Sequence, residues 1–464
     1  MFGISPEARA QHLFIIGQTG TGKSTLIRNL IIQDIEKGHG VGLIDPHGDL
    51  ADDILDCIPP HRTDHVAYIN PADHEFPVGL NVLRPGTNHA PHLIASSIVG
   101  ALKSIWRDSW GPRMEYILYT SIAALLECEN VTILGVQRML ADPVYRTWVV
   151  RHVRDPMVRA FWMGEFAGYD RRFLTEVIAP VQNKIGQLVM APPIRHMLGQ
   201  VRSSIDIRFL MEHARILIAN LAKGKVGEDK ANLLGSLLVT QFQLAALSRA
   251  DIPPAQRKPF HLYVDEYHNF ATDSFASILS EARKYGLSLT LAAQYTSQTR
   301  PEITNAVFGN VGTIMSFRVG ESDATLLARQ FGEDIQSSAF TSLANYQALI
   351  KPLTVYGYET PFRVTTMRPL MLPSGRRHIV IARSRERFST KREVIESRIR
   401  RWMGEPKQTI PKKNKPDKRN PKRQRVLEDQ AQQSSGREFG VVPARNVRSC
   451  TPHIPPEYPR HLHS

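Results

Sequence analysis

"HLFIIGQTGTGKSTLIRNLI", residues 12–31, decides the fold. A hydrophobic run reads as a buried strand over 12–17 and stops at a glycine. Gly17-Gln18-Thr19-Gly20-Thr21-Gly22-Lys23-Ser24 then fits the spacing G-x-x-x-x-G-K-[ST], and an apolar helix follows over 24–37. The small residues let successive N–H groups point into one concavity, and the helix start adds its positive dipole end. The pattern predicts a cradle for nucleotide phosphates built from Gly17 to Thr25. Lys23 would meet the β- and γ-phosphates, and the Ser24 hydroxyl would ligate Mg²⁺. ATP and Mg²⁺ are the expected ligands.

Working outward, "VGLID" (41–45) and "HVAYIN" (65–70) read as further strands, with a helix between them near 49–58. Strand–helix alternation points to a parallel α/β sheet. Between about residues 91 and 206 the β-rich runs disappear, and long stretches with helical periodicity take over. This predicts an all-helical subdomain inserted in the sheet domain. Strands resume at "RILIANL" (215–221), "FHLYVDE" (260–266), "SLTLAAQ" (288–294), "GTIMSFRV" (312–319) and "YQALIK" (346–351), with helices near 228–249, 274–285 and 301–309. The expected plan is a first sheet segment over 1–90, the helical insertion over 91–206 and a second sheet segment over 207–370. A C-terminal strand and basic helix follow over 371–404, then a disordered basic tail over 405–464.

Strand ends supply partners for the cradle. The strand 260–266 closes on Asp265-Glu266, which puts two carboxylates at the sheet's carboxyl edge. Asp265 would hold Mg²⁺ and Glu266 would polarise the attacking water; acids suited to a helix N-terminus are the plainer alternative. Gln294 ends the next strand, where it would sense the γ-phosphate or orient water, or simply solvate the edge. Arg283 lies eleven residues before Gln294 at a helix end. It suits the helix dipole there, or serves as an arginine finger for a neighbouring subunit. Arg318 is a second finger candidate.

Bulk composition narrows the class. The 464 residues are 42% hydrophobic and 22% charged, in the range of globular chains. No stretch reaches the ~18–20 consecutive apolar residues of a membrane span, and no signal pattern opens the chain, so a cytoplasmic location is expected. Three scattered cysteines argue against a disulfide framework or a cysteine-rich metal site. The net charge of +14 favours an anionic partner, nucleic acid first. Residues 405–464 carry 13 Lys/Arg against 6 Asp/Glu, a balance of +7, so half of the excess lies in the tail. Its run "PKKNKPDKRNPKRQR" (411–425) suits either phosphate contact or mere solubility.

Taken together, "GQTGTGKSTL", "GLIDPHGDLADDIL", "LIANLAKGKVGEDKANLLGSLL", "LYVDEYHNFATDSFASILSEARKYGLSLTLAAQYTSQ" and "GNVGTIMSFRVGESDA" resemble the HerA/FtsK superfamily of hexameric motor ATPases. The chain is most similar to the TraG/TraD-type DNA-binding (coupling) ATPases of type IV secretion, over roughly residues 1–370. The resemblance implies a RecA-like P-loop sheet with an all-α insertion, a homo-hexameric ring and ATP hydrolysis coupled to DNA movement. It gives Lys23, Ser24, Asp265, Glu266 and Gln294 the nucleotide roles, and Arg283 the finger. Asp45 and His47 match the family's second-strand motif. Type IV secretion or relaxosome proteins are the implied partners. The membrane helices, β-barrel or winged helix of the relatives are not visible, so membrane docking is expected to come through another subunit. Other readings are a HerA-like helicase in DNA processing, a secretion ATPase acting on protein, and a nucleotide-binding scaffold without turnover.

Overall fold

A computed structural model describes residues 3–84, 91–273, 275–332, 334–354 and 356–404. The basic tail expected over 405–464 lies outside them. The described residues belong to one compact unit.

The described strands are β1 (Leu13–Ile16), β2 (Gly40–Asp45), β3 (Val66–Ile69), β4 (Ile216–Asn220), β5 (Phe260–Val264), β6 (Leu287–Ala293), β7 (Thr313–Ser316), β8 (Gln347–Lys351), β9 (Leu353–Thr354), β10 (Gly357–Tyr358) and β11 (Phe362–Thr365). Nine of them make one sheet in the order β11-β8-β7-β1-β6-β5-β2-β4-β3, while β9 and β10 pair separately. From β7 to β3 every pairing is parallel; β8 and β11 add antiparallel strands at one end.

Strands buried on both faces read as unbroken apolar runs, and β1 is wholly buried. Its alternate residues serve two cores. Leu13 and Ile15 face the helices Lys23–Glu36 and Asp49–Asp56, whereas Phe14 and Ile16 join the larger core on the other face.

Residues 91–212 contain helices and turns but no strand among those described. These helices do not enclose a separate core. Ile98, Ile117, Ile122 and Val136 belong to the same buried cluster as Leu217 and Leu262 of the sheet. The Glu228–Ser248 helix links the two regions and packs on Pro91–Ile105. By length and composition the segment 228–251 could cross a membrane, a feature not apparent in the sequence reading. Its most apolar 18-residue stretch is 78% buried inside the protein, as a core helix would be.

The expected strand within 371–404 falls earlier, at β11. Residues 377–403 instead form two helices, Arg377–Phe388 and Arg392–Met403. Part of this basic arm's charge is paired within the chain. Arg377 pairs with Asp52 at 2.9 Å, Arg385 with Asp73 at 2.7 Å and Arg392 with Glu75 at 3.3 Å. The arm lies along β3, the edge strand, and the buried Ser384 hydroxyl accepts from the Tyr68 N–H at 2.8 Å. A sheet edge left open would offer unpaired N–H groups to other chains, and the arm covers this one.

Candidate nucleotide site

Parallel strands send all their following loops to one edge, so strand order sets the order of site residues. Along the carboxyl edge come Arg318 after β7, the glycine loop after β1, Gln294 after β6, Asp265-Glu266 after β5, Asp45 ending β2 and Asn220 ending β4. Neighbouring strands are about 4.8 Å apart, so β5 lies roughly 10 Å from β1, within the span of a metal-bound triphosphate. Gln18, Thr19, Gly20, Gly22, Lys23, Ser24 and Thr25 line one cleft of about 640 Å³ together with Asp45, His47, Asp265, Glu266 and Gln294.

The loop needs its glycines at two points. A Cβ on Gly17 would stand 2.5 Å from the Cβ of Phe317 beside β7. Gly22 has φ +114°, where an L side chain is strained. Gly22 is also the N-cap of the Lys23–Glu36 helix and provides no side-chain cap, which leaves first-turn N–H groups for an anion. Thr21 Oγ1 donates to Gln18 O at 2.7 Å and braces the loop from inside. Lys23 Nζ donates to the carbonyls of Gly17 and Gln18. Burial lowers the Lys23 pKa, and the carboxylates of Glu266 and Asp265 oppose that shift.

The acids facing Lys23 are crowded. Burial, then the charges of Asp45 and Glu266, push Asp265 up to about 7, against Lys23 and the Glu266 N–H. Asp45 is fully buried and spends its oxygens on structure: it accepts from His47 N at 2.8 Å and Ala51 N at 2.9 Å, shaping the loop before the Asp49–Asp56 helix. Glu266 is 5% exposed with a left-handed backbone (φ 45°), and its Oε2 has no hydrogen-bond partner among the described residues. His268 Nδ1 stands 3.5 Å from that oxygen. Burial, then Lys223 and His47, push His268 down to about 4, so it is neutral near pH 7 and brings no countercharge. Asp265 and Glu266 facing one lysine, with the buried charge of Asp45 acting on Asp265, fit a divalent cation: Ser24 and Asp265 would hold Mg²⁺, which when bound neutralises phosphate oxygens.

The two arginines part company. Arg283 lies before β6, at the opposite edge from Gln294. The seven residues of β6 span about 23 Å at ~3.3 Å each, so Arg283 cannot reach its own cradle. Its Nη1 donates to Gln11 Oε1 at 3.1 Å. Arg318 adjoins its own loop: its carbonyl accepts from Gln18 N at 2.9 Å, and its Nη1 donates to Leu343 O at 3.3 Å. Arg318 thus supports its own cradle.

Three residues escaped the sequence reading. Tyr346 lines the cleft from β8's approach. His268 was legible as the second residue after Glu266 in "DEYHN". Asn220 Nδ2 donates to Gly48 O at 3.3 Å and Asp52 Oδ1 at 3.1 Å, and it closes on the "DPHGDL" loop so tightly that a Cβ on Gly48 would meet its Oδ1 at 2.4 Å.

Residues 5–94 match the family described as "Helicase HerA, central domain". The bacterial conjugative coupling protein TrwBdeltaN70, in its unbound monoclinic form, superposes with a TM-score of 0.57 at 14% identity, covering 80% of this chain and 88% of that one. The chain resembles HerA/FtsK-type ATPases. Their fold recurs in plasmid coupling protein TrwB in complex with the non-hydrolysable ATP analogue ADPNP (TM-score 0.58, 14% identity, 79% and 88% covered). It recurs again in VirB4 of Thermoanaerobacter pseudethanolicus (TM-score 0.50, 14% identity, 79% and 91% covered). No curated protein matches by sequence. In HerA/FtsK terms the large, mostly parallel sheet described above is the RecA-like P-loop fold.

Proposed function

We propose that this protein is an ATP-hydrolysing motor that works as a homo-hexameric ring and translocates DNA, in type IV secretion or conjugative transfer. The observation that carries the reading is the single cleft shared by Lys23, Ser24, Asp265, Glu266 and Gln294. Lys23 and the loop N–H groups bind the triphosphate. Ser24 and Asp265 orient the metal. Glu266, with an unpartnered oxygen, takes the proton of the attacking water. Gln294 positions that water from the neighbouring strand end. Arg283 serves the cradle of the adjacent subunit.

Related folds support the conjugative setting and the ligand. TrwB is named as a conjugative coupling protein and was obtained with ADP and Mg²⁺. A scaffold without turnover is disfavoured because the lysine, metal carboxylate, base and glutamine are all in place. The HerA match over 5–94 favours a helicase-like motor as the second reading. Without a membrane-spanning helix of its own among the described residues beyond the buried 228–251 segment, the motor would act in the cytoplasm and meet the membrane through partner subunits.

ATP turnover measured alone, with single-stranded DNA and with duplex DNA tests the assignment. We expect at least tenfold stimulation by one DNA form. Stimulation by secretion-channel proteins with no response to DNA would contradict DNA as the cargo, and strand separation would select the helicase.

A further inference from the structure

The cleft has a second wall that phosphate and metal chemistry leave unused. Tyr346, Pro369, Met371, Leu372 and Pro373 line it beside the glycine loop. Tyr346 has φ 64°, rare for a bulky residue, and is held there by its backbone. Its N–H donates to Thr21 O at 2.7 Å, and its carbonyl accepts from Thr366 N at 2.8 Å. The ring is thereby seated against the loop: a Cβ on Gly22 would lie 2.9 Å from Tyr346 Cδ1. Half of the residue remains exposed.

The strand exit 367–372 is tied to the phosphate helix by two buried side chains. Asn29 Nδ2 donates to Met367 O at 3.2 Å and Arg368 O at 3.0 Å, and Asn29 Oδ1 accepts from Leu370 N at 3.0 Å. Arg28 Nη2 donates to Met371 O at 2.6 Å. This lashing holds Leu372, 81% exposed, at the cleft. An aromatic ring and a leucine fixed in water beside a polar cradle suit an apolar flat ligand.

We propose that Tyr346 and Leu372 form the platform for the nucleotide base, and that the platform accepts purines by their faces without reading their edges. The inference rests on the nucleotide reading above. With the phosphates on Lys23 and Ser24, this wall is where the cleft offers apolar surface to a base. Of the backbone groups in 367–371 that could tell adenine from guanine, the carbonyls of Met367, Arg368 and Met371 and the Leu370 N–H are already bonded to Asn29 and Arg28. ATP and GTP therefore bind alike, and CTP, with a smaller ring, binds less well.

Calorimetric titration with non-hydrolysable analogues of ATP, GTP and CTP, and with inorganic tripolyphosphate, tests this in the full chain with Mg²⁺. Wild-type affinities for the two purine analogues should agree within about threefold. Tyr346→Ala should lose about tenfold for the purines, with Tyr346→Phe close to wild type, while tripolyphosphate binding stays within twofold. Leu372→Ser, at a largely exposed position, should show the same pattern more weakly. Equal losses for tripolyphosphate and ATP would make Tyr346 a brace of the loop and overturn the platform. A thirtyfold preference for ATP over GTP would overturn face-only recognition. Failure of wild type to bind even tripolyphosphate would remove the cradle itself, and the platform with it.

Discussion

Asp34 and Asp265 sit at opposite edges of one sheet and carry opposite electrostatic histories. Asp34 is 2% exposed, yet Arg9 grips both its oxygens at 3.2 and 2.8 Å and the Tyr263 hydroxyl donates at 2.5 Å. Burial alone would raise its pKa; His39 and Arg9 override that and hold it well below the usual carboxylate range. At the other edge Asp265 faces Asp45 and Glu266 with one lysine for relief, and it is pushed up to about 7. Asp34 at the amino edge has completed its charge pairing within the chain. The carboxyl edge has not, and an incomplete charge balance in a cleft is the physical mark of a site that expects a cation and its anionic ligand. Side-chain chemistry alone does not separate these two acids; their partners do.

The largest expected effect breaks the active edge without touching the quiet one. Glu266→Gln should retain nucleotide binding but lower turnover by roughly 10²–10⁴-fold, the usual worth of a general base. Single-turnover hydrolysis beside a binding isotherm checks it, and wild-type turnover would remove Glu266 from its role.

Next in size is Asp34→Asn. Removing one partner of a buried pair leaves Arg9 uncompensated, at a cost of about 3–5 kcal/mol. The loss appears as a lower thermal midpoint near pH 7. Because the folded pKa of Asp34 is depressed, its contribution is complete above an unfolded value of ~3.9. It fades as pH falls below that toward the folded pKa. A midpoint unchanged at pH 7 would mean the pair stabilises nothing.

Smaller, and opposite in sign, is Asp265→Asn without Mg²⁺. The raised folded pKa means that ionising Asp265 opposes folding, so wild type loses stability as pH rises from ~4 through about 7. The variant should melt higher than wild type at pH 8 and near it at pH 4. A lower midpoint at pH 8 would contradict the crowding described here.

The carboxyl edge was largely legible in the sequence because strand ends are local features. The glycine loop, Asp265-Glu266 and Gln294 each follow a recognisable apolar run, and a parallel sheet brings such ends together whatever lies between them. Tyr346 and the 369–373 wall were not legible, since over 300 residues separate them from the loop they flank. The wall's placement depends on Asn29 and Arg28, which look like ordinary helix residues in the sequence. The helix Arg377–Phe388 was missed for a related reason: its face is satisfied by ion pairs to distant acids more than by an apolar stripe. The contact of Arg318 with its own loop was not legible, because β7's place beside β1 is a matter of strand order.

In the proposed ring the two edges are halves of one composite site, the cradle from one subunit and Arg283 from the next. Mixing two inactive variants tests this directly. Arg283→Ala subunits keep a sound cradle and Lys23→Ala subunits keep a sound arginine, so mixed assemblies should regain ATP turnover, highest near equal proportions. No turnover at any ratio, with mixed assembly verified, would contradict it.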